Sequence, residues 1–168
     1  MQVVKLNFLI ILQLLFWATN LSAQNKMYVA FCAKEGIPGH AFVSLGREDE
    51  ESQMTIHDGT WGLYPKNKLD GGKSFIIGEV PGEIRDDLLT RSDYTYVVEA
   101  SKKDYAEVLN IVKKWREGSN YELLEKDCVS FLIEVAKIFK GKMVIPPREG
   151  FDNLPNEYVK KIKSLNSK

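Results

Sequence analysis

The order of the hydrophobic patterns is the strongest constraint on the fold, because strand-like segments come before helix-like ones along the chain. Short apolar or alternating runs bounded by turn residues predict five strands. They cover residues 27–33, 40–46, 53–57, 73–80 and 93–100, with a long loop over 61–72. Strands followed by helices predict an α+β domain, in which helices pack on a mostly antiparallel sheet.

Three segments in the second half predict helices: 101–118, 127–141 and 156–165. The first begins with Ser101-Lys-Lys-Asp104, which resembles a capping box with Asp in place of Glu. In the second, Asp127 is a suitable N-cap for a largely buried helix from Cys128 to Lys140, which Gly141 ends. Apolar residues at helical spacing predict that all three helices pack on the sheet.

Residues 1–23 have the features of a secretory signal peptide. Lys5 supplies the positive charge, Phe8 to Trp17 the apolar stretch, and Leu21-Ser-Ala23 a small-residue cleavage site. The apolar stretch is shorter than the roughly 20 residues that span a bilayer core, which disfavours a membrane anchor. We therefore expect export to the periplasm or the exterior, no stable membrane span after cleavage, and one domain over residues 24–168.

Composition and spacing disfavour several function classes. Lys and Arg number 23, as do Asp and Glu, so the formal net charge is zero and no nucleic-acid partner is predicted. Glycine spacing lacks a phosphate-binding loop, and no cofactor is expected. A zinc site built from Cys128 and the two histidines fits by residue type, but close paired spacing is lacking, so no metal is predicted.

The two cysteines allow two interpretations. Cys32 and Cys128 both lie in the part that export would place in an oxidising compartment, where a disulfide is the first expectation. Their surroundings differ, since Cys32 lies in an apolar run and Cys128 begins a helix. A helix N-terminus lowers a thiol pKa, and its N–H groups stabilise an oxyanion, although the charge of Asp127 opposes thiolate formation. Cys128 is therefore either a nucleophile or a small core residue.

Only His40 and His57 can serve as an imidazole base for that cysteine. They lie at the start of one predicted strand and the end of the next, and the acidic loop 48–51 joins the two strands. Because adjacent ends of an antiparallel pair lie side by side, we expect both histidines at the same rim of the sheet. The alternative is that each is an ordinary structural or surface residue at a strand end.

Three segments carry a family resemblance: Gly39-His-Ala-Phe-Val-Ser-Leu45, Trp61-Gly-Leu-Tyr-Pro65 and Tyr121-Glu-Leu-Leu-Glu-Lys-Asp-Cys-Val-Ser-Phe131. Their layout resembles the circularly permuted branch of the NlpC/P60 papain-like cysteine hydrolases, in which the histidine strand precedes the cysteine helix. The resemblance implies that Cys128 is the nucleophile, His40 the base and His57 the third, orienting residue. The residue before the cysteine is often Asn in such sequences, and here it is Asp127.

The resemblance implies an exported cysteine hydrolase, an amidase or peptidase whose substrate is a cell-wall stem peptide. An acyl-ester hydrolase or acyltransferase of the same fold is the nearest chemical alternative. From a different class, a secreted binding or structural domain without turnover would use Cys128 only for packing or for a bond to Cys32.

Overall fold

The structure is a computed structural model that describes residues 26–49, 52, 54–149 and 154–167. The predicted signal peptide, residues 1–23, lies outside these ranges. The strands are β1 (Met27–Lys34), β2 (His40–Asp49), β3 (Met54–Pro65), β4 (Val80–Asp86), β5 (Tyr94–Ala100) and β6 (Ser119–Tyr121). The helices are α1 (Asp70–Ile77), α2 (Lys102–Glu117), α3 (Cys128–Ala136, extended by a 3₁₀ turn, Lys137–Phe139) and α4 (Pro155–Asn166).

The strands form one six-stranded sheet in the order β5-β1-β2-β3-β4-β6. Every neighbouring pair is antiparallel. The predicted α+β class, with helices on a mostly antiparallel sheet, is confirmed.

Alternation along the strands places one set of side chains under the helices. Val29 and Phe31 of β1 and Val43 and Leu45 of β2 are fully buried. Helix α3 packs on β2 and β3, and α4 packs on β5, β1 and β2. Burial of this apolar layer is the main stabilising contribution to the fold, and it fixes the start of α3 against β2.

Two predicted N-caps are confirmed, Ser101 for α2 and Asp127 for α3. The Ser101 side chain accepts from the Asp104 N–H, and the Asp104 side chain accepts from the Ser101 N–H. The Asp127 side chain accepts from the N–H groups of Val129 and Ser130. Helix α3 ends earlier than predicted, since its α-helical part stops at Ala136 and a 3₁₀ turn follows.

The chain between residues 61 and 80 differs from the sequence-based prediction. Residues 61–65 are not loop but the second half of β3, where they pair with residues 82–86 of β4. The predicted strand 73–80 is mostly helix α1, and only Val80 begins β4. Short apolar runs fit strands and helices equally well, so periodicity does not distinguish them here. In α1 the residue that is buried is Ser74, while Ile76 and Ile77 are exposed.

Candidate functional site

His40 and Cys128 both line a cavity of about 250 Å³ at the N-terminal end of β2. Its walls come from the β1–β2 turn, the end of β3, the start of α1, and the segment from β6 to the start of α3. Four parts of the chain that are distant in sequence therefore build one site. The predicted nucleophile and the predicted base both line it.

The cavity exists because β2 and β3 stop pairing before they end. Their last described pair on this side is Val43 with Trp61. His40 lies three residues before Val43, and Tyr64 lies three residues after Trp61. Their rings stack with centroids 4.1 Å apart. The start of α3 packs on β2 beside this point, and the Ala41 N–H acts to lower the pKa of the Cys128 thiol. The backbone of the histidine strand thus acts on the thiol directly.

Asp87 is the acidic partner of His40, and it was not predicted from the sequence. Nε2 of His40 lies 3.1 Å from Oδ2 of Asp87. The hydroxyls of Tyr64 and Thr90 donate to Oδ1 of Asp87, at 2.5 Å and 3.1 Å. Burial pushes the pKa of Asp87 up, but the hydrogen bonds from His40 and Tyr64 outweigh it, so that pKa is below its ordinary value.

An ionised Asp87 fixes the tautomer of His40. A carboxylate accepts hydrogen bonds only, so Nε2 must carry the proton that points at Asp87. Nδ1 is then the nitrogen that carries a lone pair in the neutral ring, and it is the atom able to take a proton from a thiol. No local feature of the sequence marks Asp87, because its contact with His40 spans 47 residues and the strand that precedes it was not predicted.

The prediction that His57 shares a rim with His40 is wrong. His57 pairs with Gly46, six residues along β2 from His40, because β3 runs on to Pro65 and the register shifts between Leu45 and Gly46. Six residues of strand correspond to roughly 20 Å. The His57 ring instead meets Thr60 and Ser44, with Nε2 2.6 Å and 3.0 Å from their hydroxyl oxygens.

The surroundings of Cys128 favour its neutral thiol. Burial, the largest cause, and the charge of Asp127 raise its pKa to about 12, against the lowering effects of the Ala41 and Val129 N–H groups and of Arg148. The expectation that the helix N-terminus brings this pKa toward neutrality is therefore wrong, because the side chain is only 4% exposed and desolvation outweighs the helix field. Both Cys128 and Cys32 are free thiols, so the two are not joined in a disulfide.

Asp127 does more than cap α3. Its Oδ2 accepts from the Leu124 N–H and from Arg148, whose Nη2 lies 2.6 Å away, and Nη1 of the same guanidinium donates to the Ser130 hydroxyl. The side chains of Asp127 and Arg148 are 3% and 16% exposed, so this is a largely buried ion pair. It ties the segment after α3 to the start of the cysteine helix.

Asp127→Asn is expected to lower the free energy of unfolding by about 2 kcal/mol, because the cap survives but Arg148 loses its carboxylate. Urea denaturation measures this loss, and Asp127→Asn/Arg148→Met should recover part of it by removing the orphaned cation. The same Asn variant should lower the pKa of Cys128, since an anion next to the thiol is removed while a cation stays. If Asp127→Asn alone is as stable as the wild type, the ion pair contributes nothing to the free energy of unfolding.

Comparisons of the chain with protein-family models, with curated proteins and with solved structures found no match. Within residues 26–49, 52, 54–149 and 154–167, no group of three or more His, Cys, Asp and Glu side chains is arranged to hold a metal ion. No helix in that part of the chain is long and apolar enough to cross a bilayer.

Proposed function

We propose that this protein is an exported cysteine hydrolase that cleaves an amide or an acyl ester through a thioester intermediate, in a permuted papain-like site. The observation that carries the proposal is the shared cavity, which is lined by a cysteine at a helix start and by a histidine whose imidazole is held by a buried carboxylate. Nucleophile, base and orienting acid are the three parts that such chemistry requires. Cys128, His40 and Asp87 fill these roles, and His57 has no part in the site.

In the first half of the reaction, Nδ1 of His40 takes the thiol proton as Sγ of Cys128 attacks the substrate carbonyl. The resulting oxyanion is stabilised by the N–H of Cys128, the first residue of α3, which the Asp127 cap does not use. When the C–N or C–O bond breaks, His40 returns the proton to the leaving amine or alcohol. The acyl group then remains on sulfur as a thioester.

In the second half, His40 takes a proton from water as the water oxygen attacks the thioester carbonyl. The C–S bond breaks, the acid is released, and the proton returns to the thiolate. Because burial and the charge of Asp127 raise the thiol pKa, we expect His40 to act as a general base during attack.

A cell-wall stem peptide is the first candidate substrate, on the grounds of the family resemblance and the signal-peptide features. An acyl ester is the second candidate, and the cavity lining favours it. The lining includes Leu63, Tyr64, Tyr121 and Leu123. Among the described residues that line the cavity, Lys68 is the only Lys, Arg, Asp or Glu. An apolar wall of this kind suits an acyl chain better than the charged groups of a peptide terminus.

Incubation with peptidoglycan fragments and with a series of acyl esters, followed by mass spectrometry of products and of the protein, tests the proposal. We expect product from one of the two substrate classes and a protein mass increased by the acyl group. Cys128→Ala should abolish both, whereas Cys32→Ala, the matched buried-cysteine control, should retain them. Turnover that survives Cys128→Ala would overturn the mechanism. Absence of turnover with every substrate would favour a binding domain in which Cys128 is a core residue.

A further inference from the structure

Exposed apolar side chains concentrate in three segments that adjoin residues of the site along the chain. Twelve large hydrophobic residues of the described chain are exposed, and seven of them belong to these segments. These seven are Ile37, Leu69, Phe75, Ile76, Ile77, Leu88 and Leu89. Isolated exposed apolar residues are ordinary, but a group of this size on neighbouring segments marks an interaction surface.

Each of the three segments borders the site directly. Ile37, fully exposed at 102%, is next to Pro38, which lines the cavity. Leu69 follows Lys68, another lining residue. Leu88 and Leu89, the latter 97% exposed, come straight after Asp87, the partner of His40. Each of the three exposed segments is therefore adjacent in sequence to a residue of the proposed site.

Basic residues alternate with these apolar side chains. Lys66, Lys68 and Lys73 flank Leu69 in and before α1, and Arg91 follows Leu89. The acidic residue within α1 is Asp70, and its carboxylate already accepts from Asn67 and Lys73. Next to Ile37, the carboxylate of Glu35 accepts from the Tyr94 hydroxyl. Residues 66–77 carry three lysines against one aspartate, whereas the residues after Asp87 carry Arg91 and Asp93, so the excess of cations lies in the α1 segment.

We propose that these three segments dock the protein on an anionic phospholipid surface, with the cavity mouth facing the bilayer. Apolar side chains would enter the region between head groups and acyl chains, and the lysines and Arg91 would meet the phosphates. A second copy of the chain is a poorer fit, because a two-fold contact would bring the lysines of the two copies together. The docking goes beyond the proposed chemistry and does not depend on it, since it does not use the thiol.

Vesicle co-sedimentation tests the proposal on the full chain expressed for export, with the N-terminal residue of the purified product determined. We expect binding to vesicles of phosphatidylglycerol and phosphatidylcholine, and weaker binding to phosphatidylcholine alone or in high salt. Ile37→Ser/Ile76→Ser/Leu89→Ser should lower the partition coefficient by at least about tenfold. Lys66→Gln/Lys68→Gln should lower it by roughly tenfold on the anionic vesicles only.

The matched control is Leu109→Ser/Leu165→Ser, which removes exposed leucines from α2 and α4, and it should bind as the wild type does. The side chains substituted in the triple variant, the lysine variant and this control are all exposed. Circular dichroism verifies that each variant folds. Cys128→Ala should also bind normally, which separates failure of the docking from failure of the hydrolase mechanism. Equal binding by the triple variant and the wild type would overturn the proposal. Concentration-dependent dimerisation that the triple variant loses would assign the surface to a second copy instead.

Discussion

Asp87→Asn is expected to lower kcat/KM by about 10³- to 10⁴-fold, while His57→Ala leaves it nearly unchanged. The amide can present its NH₂ group to His40, which favours the wrong tautomer and puts the ring proton on the nitrogen that should accept from the thiol. His57 lies with Ser44 and Thr60, away from the cavity. Steady-state kinetics on the substrate identified by mass spectrometry measure both effects.

Stability measurements against pH separate the chemical role of Asp87 from a structural one. Since the folded pKa of Asp87 is below its ordinary value, its carboxylate stabilises the fold above the unfolded pKa of about 4. That contribution is lost as the pH falls through the folded value, so the wild type and Asp87→Asn should approach each other in stability in acid.

An inactive His57→Ala beside an active Asp87→Asn would return the orienting role to His57.

Gly62→Ala is expected to reduce kcat/KM by more than about 100-fold, because positioning errors near 1 Å have effects of that size. A Cβ at this position would lie 2.3 Å from both Oδ2 of Asp87 and Nε2 of His40. Those are the two atoms of the bond that orients the imidazole, so the added methyl group must separate them. Steady-state kinetics measure the loss of activity, and the His40 ring signal in an NMR spectrum should shift with it.

Gly72→Ala is the matched control for that substitution. Gly72 also lines the cavity, but a Cβ there meets nothing within 4 Å, and alanine suits the helix in which it lies. We expect near wild-type activity and unchanged or slightly higher stability. If both glycine variants are equally active, the close approach at Gly62 does not hold the pair in place.

Local features of the sequence predicted the local features of the fold. The caps at Ser101 and Asp127 were predictable because a cap depends on residues two or three positions away. The strands at 27–34 and 94–100 were predictable because alternation and apolar runs are carried by the segment itself. Residues 73–77 were not, since their apolar run is compatible with a strand and becomes a helix only in this context.

The site was predictable only in part, because its remaining parts depend on long-range contacts. Cys128 and His40 have recognisable local settings, at a helix start and a strand start. Asp87 joins His40 only through the pairing of β3 with β4, and His57 lies outside the site because the pairing of β2 with β3 sets it opposite Gly46, six residues from His40. The thiol pKa is raised by burial, which is a property of the assembled core and not of the helix start.

The one buried side chain of helix α1 is a serine, and it links the helix to the segment before α3. The Ser74 hydroxyl donates to the Gly71 carbonyl, at 2.8 Å, and accepts from the Leu123 N–H, at 3.1 Å. Neither bond involves His40, Asp87 or Cys128. A segment of equal length that keeps Lys68, Ser74 and the two cavity glycines could therefore carry other exposed side chains in place of Leu69, Phe75, Ile76 and Ile77. The proposed docking surface on α1 could then change while Cys128, His40 and Asp87 stay as they are.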